Sequence, residues 1–450
     1  MVTITKDEAE RLVKEGFEAT HSERMKLQRE RLKKLVAYAR EHSAYFRELY
    51  RDIPEDFSLN DLPHTEKSVL IEHYTDWVTD PAITLPDVQA YCEHGDTENG
   101  LYLGQYTVLH TSGTTGTPLF MVRDDHRNKI QGQLLAQRLL KGIPPETMDH
   151  TRRRIAAVIY AEHGASSYEG LLRQKYSVPG YEDNIIAVSV LDSIEEIVKQ
   201  LNEFQPKTMS GYGSVLALLA QEKEAGRLRI DVDVIFNSAE ALSPENHARI
   251  EKAFGCTVKN NYCMTEGGEI AMTVDSAEML LNEDWIIVEP VDEQRRPVTD
   301  PDQWSGGILV TDLSNFVQPI IRYYVNDRVK IHNISDDSIR LPAFEINGRV
   351  NKGFVIAGKT FSSAGIDSIA EFWDDIADYQ FVQTADDELQ LRFVWFKGHG
   401  SAEDYERHCA ELKKYFSEHD CAGAKVTWSE EPPIKNQRGG KTPRYIDLRK

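Results

Sequence analysis

Between Arg154 and Gly255 the sequence alternates short apolar runs with amphipathic segments, a pattern that leaves few folds open. Ile155-Ala-Ala-Val-Ile-Tyr160, Ile185-Ile-Ala-Val-Ser-Val190 and Val232-Asp-Val-Ile-Phe236 suit strands covered on both faces. Between them, Ser193 can cap a helix that carries Ile194, Ile197, Val198 and Leu201 on one face. A second helix, about 214–225, follows the glycine turn Gly211-Tyr-Gly213. A third opens at Pro244 and stops at Gly255, since proline suits a first helical turn and glycine the residue past the last. The alternation predicts an α/β domain with a mostly parallel sheet. Residues just past each run therefore lie at the carboxyl edge, where α/β sheets bind ligands.

The flanking regions read differently. Residues 23–50 predict a charged amphipathic helix, with Leu32, Leu35, Val36 and Ala39 on one face. The next fifty residues predict irregular structure, broken by Pro54, Pro63, Pro81 and Pro86. After Trp285, short strands without helices predict a small β-subdomain. Beyond Gly348-Arg349 the pattern predicts an α+β unit with strands near 379–383 and 389–396 and a helix over 402–418. The expected division is an α/β core over 1–347 and a small C-terminal domain over 348–450.

With 73 acidic and 52 basic residues, the net charge of −21 disfavours nucleic acid or an anionic membrane as a partner. No apolar run approaches the length of a spanning helix, and the start of the chain lacks the basic and apolar regions of a signal peptide. The five cysteines are scattered, without a paired spacing. A soluble protein of a reducing cytoplasm is the expectation.

Thr111-Ser-Gly-Thr-Thr-Gly-Thr-Pro118 follows an apolar-alternating segment, Tyr106–His110, and combines two glycines with a run of hydroxyls. Glycine allows turns in which successive N–H groups face one anion, and the hydroxyls add short donors. That chemistry grips a polyphosphate, although Thr117-Pro118 stands where a Walker loop has its Lys-Ser/Thr pair. Five further pieces follow in order: Asn237-Ser-Ala-Glu240, Asn260-Asn-Tyr-Cys-Met-Thr-Glu266, Arg322-Tyr-Tyr-Val-Asn-Asp327, Gly348-Arg349, and Gly439-Gly-Lys441. Gly211-Tyr-Gly213 lacks the third glycine of a dinucleotide fingerprint, and Cys256, Cys263 and His247 lack zinc spacing.

In this order the pieces resemble the adenylate-forming superfamily of acyl-CoA synthetases, adenylation domains and luciferases, and the resemblance spans nearly the whole chain. Arg31-Leu-Lys-Lys-Leu35, Gly307-Ile-Leu-Val-Thr-Asp312 and Pro319-Ile-Ile-Arg-Tyr323 resemble its phenylacetate–CoA ligase-like branch. The resemblance implies a large N-terminal domain of parallel α/β layers with a β-subdomain, then a small mobile α+β domain. It implies that Thr111, Ser112, Gly113, Thr114, Thr115 and Gly116 clasp the ATP phosphates. Ser238, Ala239, Glu240 and Asn261 would line the adenine slot, and Tyr262 would stack on the base. Thr265 would contact the α-phosphate, Glu266 would hold Mg²⁺, Asp327 would accept the ribose hydroxyls with Arg349 nearby, and Lys441 would bridge carboxylate and phosphate. Asn351 stands at the hinge position, and Tyr160, His163, Gly211, Tyr212 and Gly213 at the acyl pocket. Cys263 and Asn326 stand where the family has glycines.

The implied activity is ATP- and Mg²⁺-dependent activation of a carboxylic acid, with coenzyme A as the leading thiol acceptor. An amine acceptor, an adenylylating transferase and a weakly catalytic nucleotide-binding protein are the alternatives. Relatives in that branch also form homodimers.

Overall fold

A computed structural model of the chain describes residues 3–94, 100–111, 119–147, 153–159, 161, 165–176, 180–189, 192, 194–349, 354–361, 373, 375–396, 399–418, 421–435 and 442–449. The chain divides into two compact units, Met1–Gly348 and Arg349–Lys450.

The first unit opens with helices α1 (Lys6–Glu18) and α2 (His21–His42), followed by the shorter α3 (Ala44–Leu49), α4 (Lys67–Glu72), α5 (Tyr74–Trp77) and α6 (Leu85–His94). The single helix expected over 23–50 is two, because Ser43 turns extended and caps α3 through the Phe46 N–H. Residues expected to be irregular hold three short helices, and Pro86 sits in the first turn of α6, where a missing N–H costs nothing. Thr20 and Glu23 close a capping box at the start of α2.

Next come the hairpin β1 (Thr107–His110) and β2 (Phe120–Arg123), then α7 (Asp125–Leu134), capped by Asp124. The buried Asp124 carboxylate accepts the Arg127 and Phe316 N–H groups, and burial pushes its pKa up to about 6.

The layered part holds β3 (Ile155–Ile159), α8 (Ser166–Tyr176), β4 (Ile185–Ser189), α9 (Ile194–Phe204), β5 (Thr208–Gly211), α10 (Gly213–Glu224), β6 (Val234–Ser238), α11 (Pro244–Phe254) and β7 (Thr257–Met264). Strands β4, β3, β5, β6 and β7 pair in parallel. The sheet is mixed rather than mostly parallel. At the Thr265–Gly267 turn the chain reverses into β8 (Gly268–Thr273) and β9 (Met279–Leu281), which continue the sheet antiparallel. Strands β14 (Ala343–Arg349) and β13 (Asp327–Ile331) complete nine, in the order β13-β14-β9-β8-β7-β6-β5-β3-β4. The region after Trp285 thus supplies two strands to the large sheet, besides the antiparallel set β10 (Ile286–Val291), β11 (Gly307–Asp312) and β12 (Tyr323–Val325).

One core lies beneath the parallel half, built on Val158, Val188, Met209, Leu216 and Ile235. A larger one joins the N-terminal helices to the β1–β2 hairpin and the 313–323 segment.

The first two helices are held by buried charge. Arg24, fully buried, pairs with Glu283 at 2.5 Å. Arg138 clasps Asp284 through both oxygens at 2.8 and 2.9 Å and reaches Asn282 at 2.7 Å. Gly16 is what lets α1 approach: a Cβ there would stand 2.1 Å from Asp284 Oδ2.

The second unit carries a hairpin, β15 (Phe354–Ile356) with β16 (Lys359–Phe361), and a four-stranded sheet. Its strands β17 (Ile376–Ala385) and β18 (Glu388–Trp395) are antiparallel, flanked in parallel by β20 (Tyr445–Asp447) and β19 (Lys425–Ser429). Helix α12 (Ala402–Glu418) places Leu412 and Phe416 in a core with Phe381, Leu391 and Phe393.

Candidate active site

Parallel strands all end at the same edge, so the ends of β5, β6 and β7 set their sequence-predicted residues there. The register is close: Gly211 lies level with Asn237, Asn237 with Asn260, and Ser238 with Asn261.

At the end of β6 the chain bends sharply, with Ala239 in the left-handed region at φ 65°. Asn237 holds that bend in place. Its Nδ2 donates to the Glu240 carbonyl at 3.0 Å and to Asn260 Oδ1 at 3.1 Å, tying the bend to the next strand. Gly213 stands beneath, and a Cβ there would meet the Ala241 carbonyl and Asn237 Oδ1 at 3.2 Å. Gly211 is the last residue of β5 rather than part of a turn, and Tyr212 is buried in the core of the parallel half. Tyr160 and His163 lie outside the described residues.

Strand β7 delivers Tyr262. Its ring stacks on Phe344 of β14 with centroids 5.4 Å apart and 19° between planes. Its hydroxyl donates to Asp327 Oδ2 at 2.5 Å. In a flat sheet, β13 would stand four strand spacings of about 4.8 Å from β7. The contact therefore requires the antiparallel half to curl back, and the apolar set Ile270, Leu281, Ile308, Val310, Val329 and Phe344 fills the curl. Asp327 is buried at 5% exposure.

The turn after β7 carries Thr265 and Glu266 and is braced from three sides. Arg123 of β2 donates to the Thr265 carbonyl at 2.8 Å, and Tyr323 Oη donates to Glu266 Oε1 at 3.2 Å. Gly268, at φ 75°, lies against Gln131 of α7, whose Oε1 accepts the Glu269 N–H at 2.7 Å. A Cβ at Gly268 would stand 2.7 Å from that amide. Asn261 Nδ2 donates to Glu269 at 2.7 Å, and burial raises the Glu269 pKa.

Thr111 and Leu119 form the neck of the glycine-rich loop. The Thr111 N–H donates to the Leu119 carbonyl at 2.9 Å, and the Leu119 N–H to Thr111 Oγ1 at 3.0 Å. Ser112, Gly113, Thr114, Thr115 and Gly116 lie outside the described residues, as do Asn351 and Lys441. Arg349 ends β14, but its side chain is outside the description.

Of the residues singled out in the sequence, Tyr262 and Asp327 meet through a hydrogen bond, and Thr265 and Glu266 share the braced turn that follows β7. Arg123, Gln131 and Phe344 were not among them. The signal for Arg123 was a single charge closing the apolar run Phe120-Met-Val122.

His247 Nε2 lies 3.2 Å from the Val258 carbonyl, and no group with Cys256 and Cys263 comes within metal-ligand spacing among the described residues. Asp375, His399 and Asp404 do, within 4.8 Å, but Arg407 already pairs with both carboxylates. Arg153 pairs with Asp233, and Arg154 donates to the Phe204 carbonyl.

No family model matches the chain. It is 27% identical over 218 residues to protein CapK of Staphylococcus aureus, a match covering 45% of each chain. The match thus spans less than half of that relative's length. Among solved structures, 2-hydroxyisobutyryl-CoA ligase in the postadenylation state with 2-HIB-AMP superposes with a TM-score of 0.65 at 18% identity, covering 93% of this chain and 88% of that one. The chain has the fold of the adenylate-forming superfamily. The same ligase with 2-HIB-AMP and CoA in the thioesterification state superposes at 0.57 and 19% identity, covering 96% and 91%. A benzoate CoA ligase from Burkholderia xenovorans LB400 shares the adenylate-forming fold at a TM-score of 0.52 and 16% identity, over 75% and 67%.

Proposed function

We propose that this chain activates a carboxylic acid with ATP and passes the acyl group to a thiol, coenzyme A being the leading acceptor. The observation that carries the reading is the Tyr262–Asp327 hydrogen bond on the strand that leads into the braced Thr265–Glu266 turn, in an adenylate-forming fold. The solved structures that share this fold include CoA ligases holding acyl-adenylates, which supports the same pair of half-reactions here.

In the first half-reaction a carboxylate oxygen bonds to the α-phosphorus of ATP, and the bond from that phosphorus to the bridging oxygen breaks, releasing pyrophosphate. In the second, a thiol sulfur bonds to the acyl carbon, AMP leaves, and the thiol proton passes to solvent. Both partners of the first step are anionic, so cationic and hydrogen-bonding groups must face them. The Ser238–Glu240 bend and Tyr262 hold the base, Asp327 takes the ribose hydroxyls, and Thr265 meets the α-phosphate. A divalent metal fits beside Glu266: its carboxylate is a hard oxygen donor, oriented through Oε1 by Tyr323. When bound, such an ion screens the phosphate charge.

Carboxylate-dependent ATP–pyrophosphate exchange, run over aryl, short-chain, hydroxy and amino acids, tests the reading. Exchange with one class of acid supports it and names the substrate class. ATP binding without exchange for any acid would leave a nucleotide-binding protein. CoA consumption against amide formation then separates the acceptors.

The Tyr262–Asp327 contact gives a finer expectation. Tyr262→Phe keeps the ring and removes one hydrogen bond to a carboxylate, worth about 1–2 kcal/mol, so the ATP KM rises about 5- to 30-fold. The preference for ATP over 2′-deoxyATP narrows at the same time, because the freed Asp327 no longer holds its orientation. Unchanged discrimination between the two nucleotides would separate the tyrosine hydroxyl from ribose recognition.

A further inference from the structure

Behind the Thr265–Glu266 turn stands a guanidinium that none of the roles above uses. Arg123 closes β2, the strand leading away from the glycine-rich loop, and lies opposite Thr107 in the hairpin. Its Nη2 donates to the Thr265 carbonyl across 142 residues of sequence. Its Nε is buried and has no hydrogen-bond partner among the described residues. Three apolar residues precede it in the strand, and an apolar side chain at 123 would avoid burying a charge. The surroundings make the charge more expensive. Burial, and then the neighbouring Arg127 and Arg173, pull its pKa down, while Glu269 and Asp312 oppose them. Arg127 already engages Asp312 at 2.7 Å, and Glu269 accepts from Asn261.

What the arginine gives in return is rigid reach. A planar fork of donors on a long stem can fix one carbonyl in direction as well as distance. The Thr265 carbonyl belongs to the turn that carries both the hydroxyl and the carboxylate assigned above to the α-phosphate and the metal. The hairpin that supplies the fork also bears the neck of the glycine-rich loop at Thr111 and Leu119.

We infer that Arg123 is a positioning residue that locks the Thr265–Glu266 turn to the phosphate-loop hairpin, keeping the two phosphate-facing elements in register. The inference rests on the ligase reading for its functional half and on the hydrogen bond alone for its structural half.

Hydrogen–deuterium exchange and pyrophosphate exchange on Arg123→Met and Arg123→Lys test both halves. In Arg123→Met, amides of residues 262–269 should exchange at least about tenfold faster, while those of β17 and β18 stay unchanged. The exchange kcat should fall about tenfold or more, and half-saturation by Mg²⁺ should need several-fold more metal, with the acid KM unmoved. Arg123→Lys keeps the charge and the stem, so it recovers part of both losses and serves where the methionine variant fails to fold. Unchanged protection of 262–269 in a folded variant, or an unchanged kcat and Mg²⁺ dependence, overturns the inference. Lost protection in a chain whose wild type exchanges no pyrophosphate sinks the ligase reading and leaves the brace standing.

Discussion

Replacing Lys441 with alanine should lower carboxylate-dependent ATP–pyrophosphate exchange about 100- to 1,000-fold, the usual effect of removing one preorganised charge from a transition state. The lysine sits in Gly439-Gly-Lys441, and the resemblance assigns it to the space between carboxylate and α-phosphate. There it would oppose the repulsion of two anions, a need that peaks as the new bond forms. The KM values should move far less than kcat, and the thermal unfolding midpoint should not move. A second-half assay, started from synthetic acyl-adenylate and the thiol, should keep most of its rate. Equal loss in both half-reactions would mean that the substitution damages the unit as a whole, and intact exchange would remove Lys441 from adenylation.

The second large effect concerns stability. Asp284 is fully buried, clasped by Arg138 and flanked by Arg31 at 3.7 Å. Asp284→Asn leaves the Arg138 charge in an apolar setting without its counter-charge. Breaking one side of a buried pair in this way costs about 3–5 kcal/mol. Urea unfolding of the full chain should show the first transition at a markedly lower midpoint, and a second substitution, Arg138→Met, should restore part of the loss. If the single and double variants are equally unstable, the pair acts through packing rather than charge.

The candidate site is proposed from short, contiguous blocks of sequence. Of these, Asn237–Glu240 and Asn260–Glu266 follow neighbouring parallel strands, whose pairing sets them side by side. Strand β5 was not legible. Thr208-Met-Ser-Gly211 has no apolar run, and its place in the sheet is imposed by pairing with β3 and β6 on either side. Helix α1 was not read from the sequence, although Ala9, Leu12, Val13, Gly16 and Phe17 recur at helical spacing and face the core. Gly16, the smallest member of that stripe, is there to admit Asp284. Arg123 and the Tyr262–Asp327 contact join residues 142 and 65 apart, and nothing local in either segment encodes such a meeting. The curl of the antiparallel half belongs to the same class, since it depends on how several short strands share one core.

The anchoring of the first two helices also sets a timetable. Arg24 finds Glu283 only after 259 more residues have been made, which at ribosomal rates of about 5–20 residues per second is roughly 13–50 s. Early in that interval the segment has its own capping box and local pairs, among them Thr20 with Glu23 and Arg11 with Glu15, and later Lys129 and Gln137 reach the Ile4 and Glu10 carbonyls. Self-capped helices whose other faces are densely charged tolerate such a wait in water better than greasy ones would. The charged faces of α1 and α2 therefore suit a chain that must keep its beginning soluble until its middle arrives.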